Sequence, residues 1–185
     1  MLVRAHGFAI ARGVAEQLLV ELDVRSGLPS FAVVGLSGAG ARDTRERVQA
    51  AILNTGLSFP RRRVTVNVAP ASQRRLGAEL DLAIACCVLA VEGHLDAARL
   101  ARLGLFAELG LGGALRPRPG AGAAAVAAGE ARLAGLVVAR ADLREARAAA
   151  AVRVAGLGGL AEVVALLAAP PRAVSAGRRG RPADG

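Results

Sequence analysis

The 185-residue chain contains no lysine, no tryptophan and no tyrosine. The absence of lysine excludes every mechanism that requires a lysine amine. Aromatic residues make up 2% of the chain, so the core has to be packed from Ala, Val, Leu and Ile. So few rings also argue against a platform on which single-stranded bases stack. Only two histidines, His6 and His94, and two cysteines are present, too few partners for a metal or redox role of the cysteines. Cys86 and Cys87 are adjacent, and a disulfide between neighbours strains the backbone, so they read as two small reduced hydrophobes. No apolar run is long enough to cross a bilayer, which needs roughly 18 residues. The N-terminus, MLVRAHGFAIARG, lacks the apolar stretch and cleavage site of a secretory signal. We therefore expect a cytoplasmic protein with no membrane partner.

What is present is apolar and basic. Hydrophobic residues make up 54%, enough for a real core, and the formal net charge is +9. All of the basic charge is arginine, alongside abundant Ala and Gly, which fits a GC-rich coding composition. The charge alone is therefore weak support for a nucleic-acid partner.

The chain is organised around residues 59–91, FPRRRVTVNVAPASQRRLGAELDLAIACCVLAV. In Arg63–Ala69, Val64, Val66 and Val68 share one face, the period of a half-buried strand. Pro70 ends it. A polar, basic loop spans 71–79. Residues 82–91 are apolar without a break and rich in Ala, Leu and Ile, which predicts a helix buried on most sides.

The N-terminal part predicts strands over Leu2–Ala11 and residues 16–25, joined at Arg12-Gly13 as a hairpin. A short buried strand over 30–35, a glycine-rich loop to Gly40 and a helix over 41–55 follow. Asp43 stands four residues before Arg47, the spacing of an ion pair on a helix face. Beyond the central segment the pattern predicts a helix over 96–103. It then predicts a hairpin of 104–111 with 114–115, a helix over 121–133 and a strand over 136–139. Last come a helix over 143–150, a marginal strand over 152–154 and a helix over 160–168. No internal repeat is found. This order gives an α/β (α+β) fold, a mixed β-sheet with helices covering it. One domain over 1–169 and a disordered basic tail over 170–185 are expected.

Several candidate sites follow. In GLSGAGARDT, Gly35 and Gly40 have the spacing of a phosphate-binding loop, but Ala41 and Arg42 stand where Lys and Ser/Thr are required. A dinucleotide fingerprint fails as well, with Asp43 where Gly or Ala is wanted. Arg61, Arg62 and Arg63, with Arg74 and Arg75, flank the central strand. Converging at one sheet edge, they would form a patch for DNA or an acidic partner. Asp81 at the mouth of the buried helix reads as a structural helix cap. Glu108 needs an arginine partner. Ser72 and His94 have nothing to bring them together as a nucleophile and its base. No catalytic residue and no metal ligand is assigned.

Five stretches together resemble the N-terminal domain of the ComM/YifB family, the magnesium-chelatase-like AAA+ ATPases. They are SGLPSFAVVGL (26–36), ARDTRERVQAAILNTGLSFPRRRVTVNVAPA (41–71), LDLAIACCVLA (80–90), AELGLGGALRP (107–117) and LAEVVALL (Leu160–Leu167). Together the resemblance covers about residues 1–168. It implies a Lon-protease-domain-like fold. Lon-like peptidases carry a serine where the buried helix opens and a lysine after the later hairpin. This chain has Glu79, Leu80 and Asp81 near the first place and residues 120–123 near the second, so the dyad is missing. The chain departs from the family at GLSGAG, at Ala83 where the family has Pro, and at the 71–79 loop. The resemblance implies a hexameric family linked to DNA branch migration during natural transformation. ATP and magnesium would be held in an ATPase domain with Walker motifs. None of those motifs occurs here, so no cofactor is expected in this chain. The expectation is a truncated, non-catalytic accessory domain whose ATPase partner is encoded downstream. The alternatives are a stand-alone basic DNA-binding module and a degenerate serine-peptidase-like hydrolase.

Overall fold

The computed structural model describes residues 1–34, 38–70 and 78–168. β1 (Leu2–Ala11) and β2 (Val14–Arg25) form the expected hairpin. Its two-residue turn places Arg12 at φ 51° and Gly13 at φ 80°, the left-handed geometry that matches strand twist. β3 (Ser30–Val34), α1 (Gly38–Asn54) and β4 (Arg63–Ala69) follow. β4 pairs antiparallel with β2, setting Val20 against Val68, Leu22 against Val66 and Val24 against Val64. These side chains are buried, while Glu21 and Asn67 meet across the other face, Nδ2 to Oε2 at 3.3 Å. The period-two pattern thus becomes one core face and one polar face.

α2 (Asp81–Val91) is buried at all eleven positions. It packs against β1, β2, α1 and the short α3 (Ala97–Leu100). The second half alternates strand and helix: β5 (Leu103–Phe106), β6 (Glu108–Leu109), β7 (Leu115–Arg116), α4 (Ala121–Glu130), β8 (Gly135–Ala139), α5 (Leu143–Ala149), β9 (Arg153–Leu157) and α6 (Leu160–Leu167). Among the described residues the main sheet has seven strands in the order β3-β4-β2-β1-β5-β8-β9, and β6-β7 forms a separate ribbon. β1 joins an N-terminal half of mixed direction to a parallel half, pairing antiparallel with β2 and parallel with β5. The core on one face gathers side chains from α1, α2 and α6, and the core on the other gathers those of α4 and α5. This is the expected α/β fold with one mixed sheet covered by helices.

Four expectations are corrected. The helix expected over 96–103 is a single turn, with the Asp96 carboxylate accepting from the N–H groups of Ala98 and Arg99. Its last expected residue starts β5, which runs inside the sheet between β1 and β8 rather than in a hairpin. Leu105 and Phe106 point to opposite faces, and both are buried because helices cover both sides of a parallel strand here. The hairpin shrinks to β6 and β7. β3 is an edge strand with Val34 54% exposed, not a buried one; its apolar run carries no signal of position within the sheet. α1 begins at Gly38, so part of the glycine-rich loop is already helix. The tail expected over 170–185 lies outside the described residues. Among the described residues no helix is long and apolar enough to cross a membrane.

Candidate functional site

The polar residues of interest gather at the head of α2. A short 3-10 turn, Ala78–Leu80, leads into the helix. No side chain caps it, so Asp81 is not the cap expected of it. Asp81 is the first helical residue, its side chain has no exposed surface, and it turns to α1 instead. Arg47 Nε donates to Asp81 Oδ2 at 2.5 Å and Nη2 donates to Oδ1 at 3.2 Å. The same Nη2 lies 3.2 Å from the buried Thr44 hydroxyl, one turn earlier on α1. Burial pushes the Asp81 carboxyl above the usual carboxylate range, and Arg47 pulls it back. The bond to Asp81 in turn raises the Arg47 guanidinium. Arg47 therefore serves Asp81, not the Asp43 that its spacing suggested.

A second pair stands beside the first. Arg118 Nη2 donates to Glu79 Oε1 at 3.0 Å, and the guanidinium carbon sits 5.4 Å from the centre of the Phe106 ring. The backbone N–H of Arg118 donates to Asp142 Oδ2 at 2.9 Å, which fixes the segment between β7 and α4. Glu79 Oε2 and Arg118 Nη1 are buried without a hydrogen-bond partner among the described residues. Glu108 has its expected arginine, with Arg116 Nη1 at 3.5 Å.

The chemistry open to this cluster is narrow. Asp81 and Glu79 are both bound to guanidiniums. Among the described residues no group of three or more His, Cys, Asp or Glu is placed to hold a metal ion. The sequence holds no lysine, and α1 opens on Gly38, Ala39 and Gly40, followed by Ala41 and Arg42 where a phosphate-binding loop has Lys and Ser/Thr. Cys86 and Cys87 lie free and fully buried in mid-helix.

The arginine run lies at the other end of α2, about 16 Å of helix away. Arg62 Nη2 reaches Glu92, just past the helix, at 2.7 Å. Arg63 opens β4 opposite Arg25, and Arg25 is paired with Asp23 at 2.7 Å. Arg61 and Arg63 are exposed, with no ion-pair partner among the described residues. Arg74, Arg75 and Ser72 lie outside the described residues. Among the described residues His94 bonds through its backbone, N–H to the Leu89 carbonyl at 2.9 Å.

Sequence reading missed Arg47, Arg118 and Glu79 as members of one cluster. One signal was available: a carboxylate opening an otherwise apolar buried helix requires a cation from elsewhere in the fold. Nothing local says which cation, since Arg47 and Asp81 are 34 residues apart.

Fold and cluster together define an α/β domain built on a buried helix whose acidic head is held by arginines. Residues 20–142 match the family described as "Subunit ChlI of Mg-chelatase", and the chain belongs to that family. It is similar to "Uncharacterized protein YifB" of Salmonella typhimurium, 40% identical over 107 residues, 58% of this chain and 21% of the relative. It is similar to "Uncharacterized protein Rv2897c" of Mycobacterium tuberculosis, 37% identical over 125 residues, 68% of this chain and 25% of the relative. "Competence protein ComM" of Haemophilus influenzae is 37% identical over 102 residues, 55% of this chain and 20% of the relative. The matches thus span about a fifth to a quarter of the curated relatives' length.

Proposed function

We propose that the chain is a non-catalytic accessory domain of a ComM- and YifB-type magnesium-chelatase-like AAA+ ATPase, serving assembly or contact with a partner. In this reading the mixed sheet and its buried helix are the Lon-protease-like scaffold. Asp81 then stands near the place of the peptidase serine, and the start of α4 near the place of the lysine. The observation that carries the reading is the Arg47–Asp81 pair. It fills the head of α2 with a part-buried ion pair on a fully buried carboxylate, and among the described residues no nucleophile stands there. ATP and magnesium would belong to a companion ATPase domain. The test is ATP hydrolysis by the purified chain, expected to stay at the level of a blank. Turnover above it, abolished by substitutions in this chain, overturns the reading.

A second reading, a DNA-binding module, is favoured by the exposed Arg61 and Arg63. Contacts to phosphates release counterions, so affinity would fall steeply with salt. Fluorescence anisotropy on duplex and forked DNA at two salt concentrations decides. Binding that is absent or indifferent to salt rejects it, as does binding unchanged by Arg61→Glu with Arg63→Glu.

A further inference from the structure

A groove of about 410 Å³ opens on the α2 side of the sheet, beside α6 and away from both clusters above. Its floor is apolar and comes from neighbouring parallel strands: Leu103 of β5, Val137 of β8 and Ala155 of β9. Leu166 of α6, 38% exposed, forms a wall. Three exposed arginines, Arg99, Arg102 and Arg153, line it, and no acidic side chain does. Arg99 Nη2 donates to the Leu166 carbonyl at 2.9 Å. Arg102 and Arg153 have no ion-pair partner among the described residues.

The groove is preformed. The end of α6 is tied to α3 by the Arg99 bond, by the Asp96 N–H donating to the Leu167 carbonyl at 2.8 Å, and by the bridge between Leu95 and Ala168. A rigid apolar trough of this volume lies within the usual range of ligand sites and loses little entropy on binding.

We propose that this groove docks an acidic peptide segment of a partner protein. A bulky apolar side chain would rest on Leu103, Val137 and Ala155, and flanking carboxylates would pair with Arg102 and Arg153. Charge and shape select this occupant. A fatty acid brings one carboxylate to three guanidiniums. A nucleic-acid backbone has no apolar group for the floor, and no aromatic side chain lines the groove for base stacking. The chain's own residues 169–185 carry four arginines against one aspartate and would be repelled. The inference does not depend on the accessory role proposed above.

The probe is a fluorescein-labelled hexapeptide of alternating leucine and glutamate, titrated against the full chain by anisotropy. Saturable binding that weakens with salt is expected, with none for the leucine–lysine counterpart. Arg102→Glu with Arg153→Glu should lower affinity about tenfold or more, the sum of two rim charge pairs each reversed in sign. Leu166→Glu should lower it too, and Arg61→Glu should leave it unchanged. These are surface positions, and matching thermal melts confirm that each variant folds. No saturable binding overturns the proposal, and so does equal affinity in the charge-reversed variant. It also falls if duplex DNA binding, or self-association in sedimentation, is what those substitutions abolish while peptide binding is unaffected.

Discussion

Arg47 grips Asp81 in a fork, Nε to Oδ2 at 2.5 Å and Nη2 to Oδ1 at 3.2 Å, and the carboxylate so held is wholly buried. The asymmetry of such a pair gives the first prediction. Arg47→Met leaves a buried charge without its partner and should cost about 3 kcal/mol. Arg47→Met with Asp81→Leu removes both charges and should recover most of that loss, because an apolar pair of similar volume needs no desolvation. Urea denaturation of both single variants and the double variant checks this as a cycle. Additive losses would mean that the pair is not coupled.

The second prediction concerns β5. A Cβ at Gly104 would stand 2.7 Å from Phe8 Cε2 and 2.9 Å from Leu136 Cδ1, and both neighbours are buried. Gly104→Ala should therefore destabilise by about 1–3 kcal/mol through overpacking. Adding Phe8→Leu should return part of it. A chemical-denaturation midpoint unchanged from wild type in Gly104→Ala would contradict the packing described.

That strand also shows where sequence reading stops. The alternation of Leu18, Val20, Leu22 and Val24, and of Val64, Val66 and Val68, is a local record of one buried face, so β2 and β4 could be read directly. The apolar run of α2 likewise announces its own burial. β5 is four residues long, contains a glycine and is apolar on both faces, so it has no period to detect. Its place is set by β1, with His6 opposite Gly104 in a parallel pairing 98 residues apart. The Arg47–Asp81 pair is invisible for the same reason, while Asp43 offered a local partner that the fold does not use. The arginines at 61–63 are visible in the sequence as a run, but that Arg62 pairs with Glu92, 30 residues on, is visible only in the fold.

The cysteines give the third prediction. Both thiols are fully buried, which pushes the Cys86 thiol up to about 12 and the Cys87 thiol well above its ordinary value. The reactive species is the thiolate, so a disulfide reagent should label neither residue in the folded chain. Labelling should appear only as denaturant unfolds the chain, in step with the loss of helical circular dichroism. Fast labelling without denaturant would place α2 at the surface and undo the description of the core.

The last prediction is a pH dependence at His6. The half-buried imidazole is placed to be neutral: Nε2 lies 3.2 Å from the Ala101 carbonyl and Nδ1 lies 2.7 Å from Gln17 Nε2. With the proton on Nε2, that nitrogen donates to the carbonyl and Nδ1 accepts from the Gln17 amide. A second proton on Nδ1 would meet that donor head on. Burial lowers the pKa of His6, and the Ala101 carbonyl opposes the shift only in part. The unfolded chain therefore binds the proton first. The stability gained is fully present above the unfolded value of about 6.5 and is lost as pH falls from there through the folded value. The carboxylates whose own values are lowered by arginine or backbone partners, Glu21, Asp23 and Glu162, lose their contributions only below about pH 5. Asp81, raised by burial, binds its proton first in the folded chain and works in the opposite direction. The His6 contribution is therefore read as the difference between wild type and His6→Gln. Between about pH 6.5 and 5 wild type should lose melting temperature relative to His6→Gln. A proton NMR titration placing His6 at or above the free-histidine value would show instead that the fold favours the charged ring, and the difference would have to come from elsewhere.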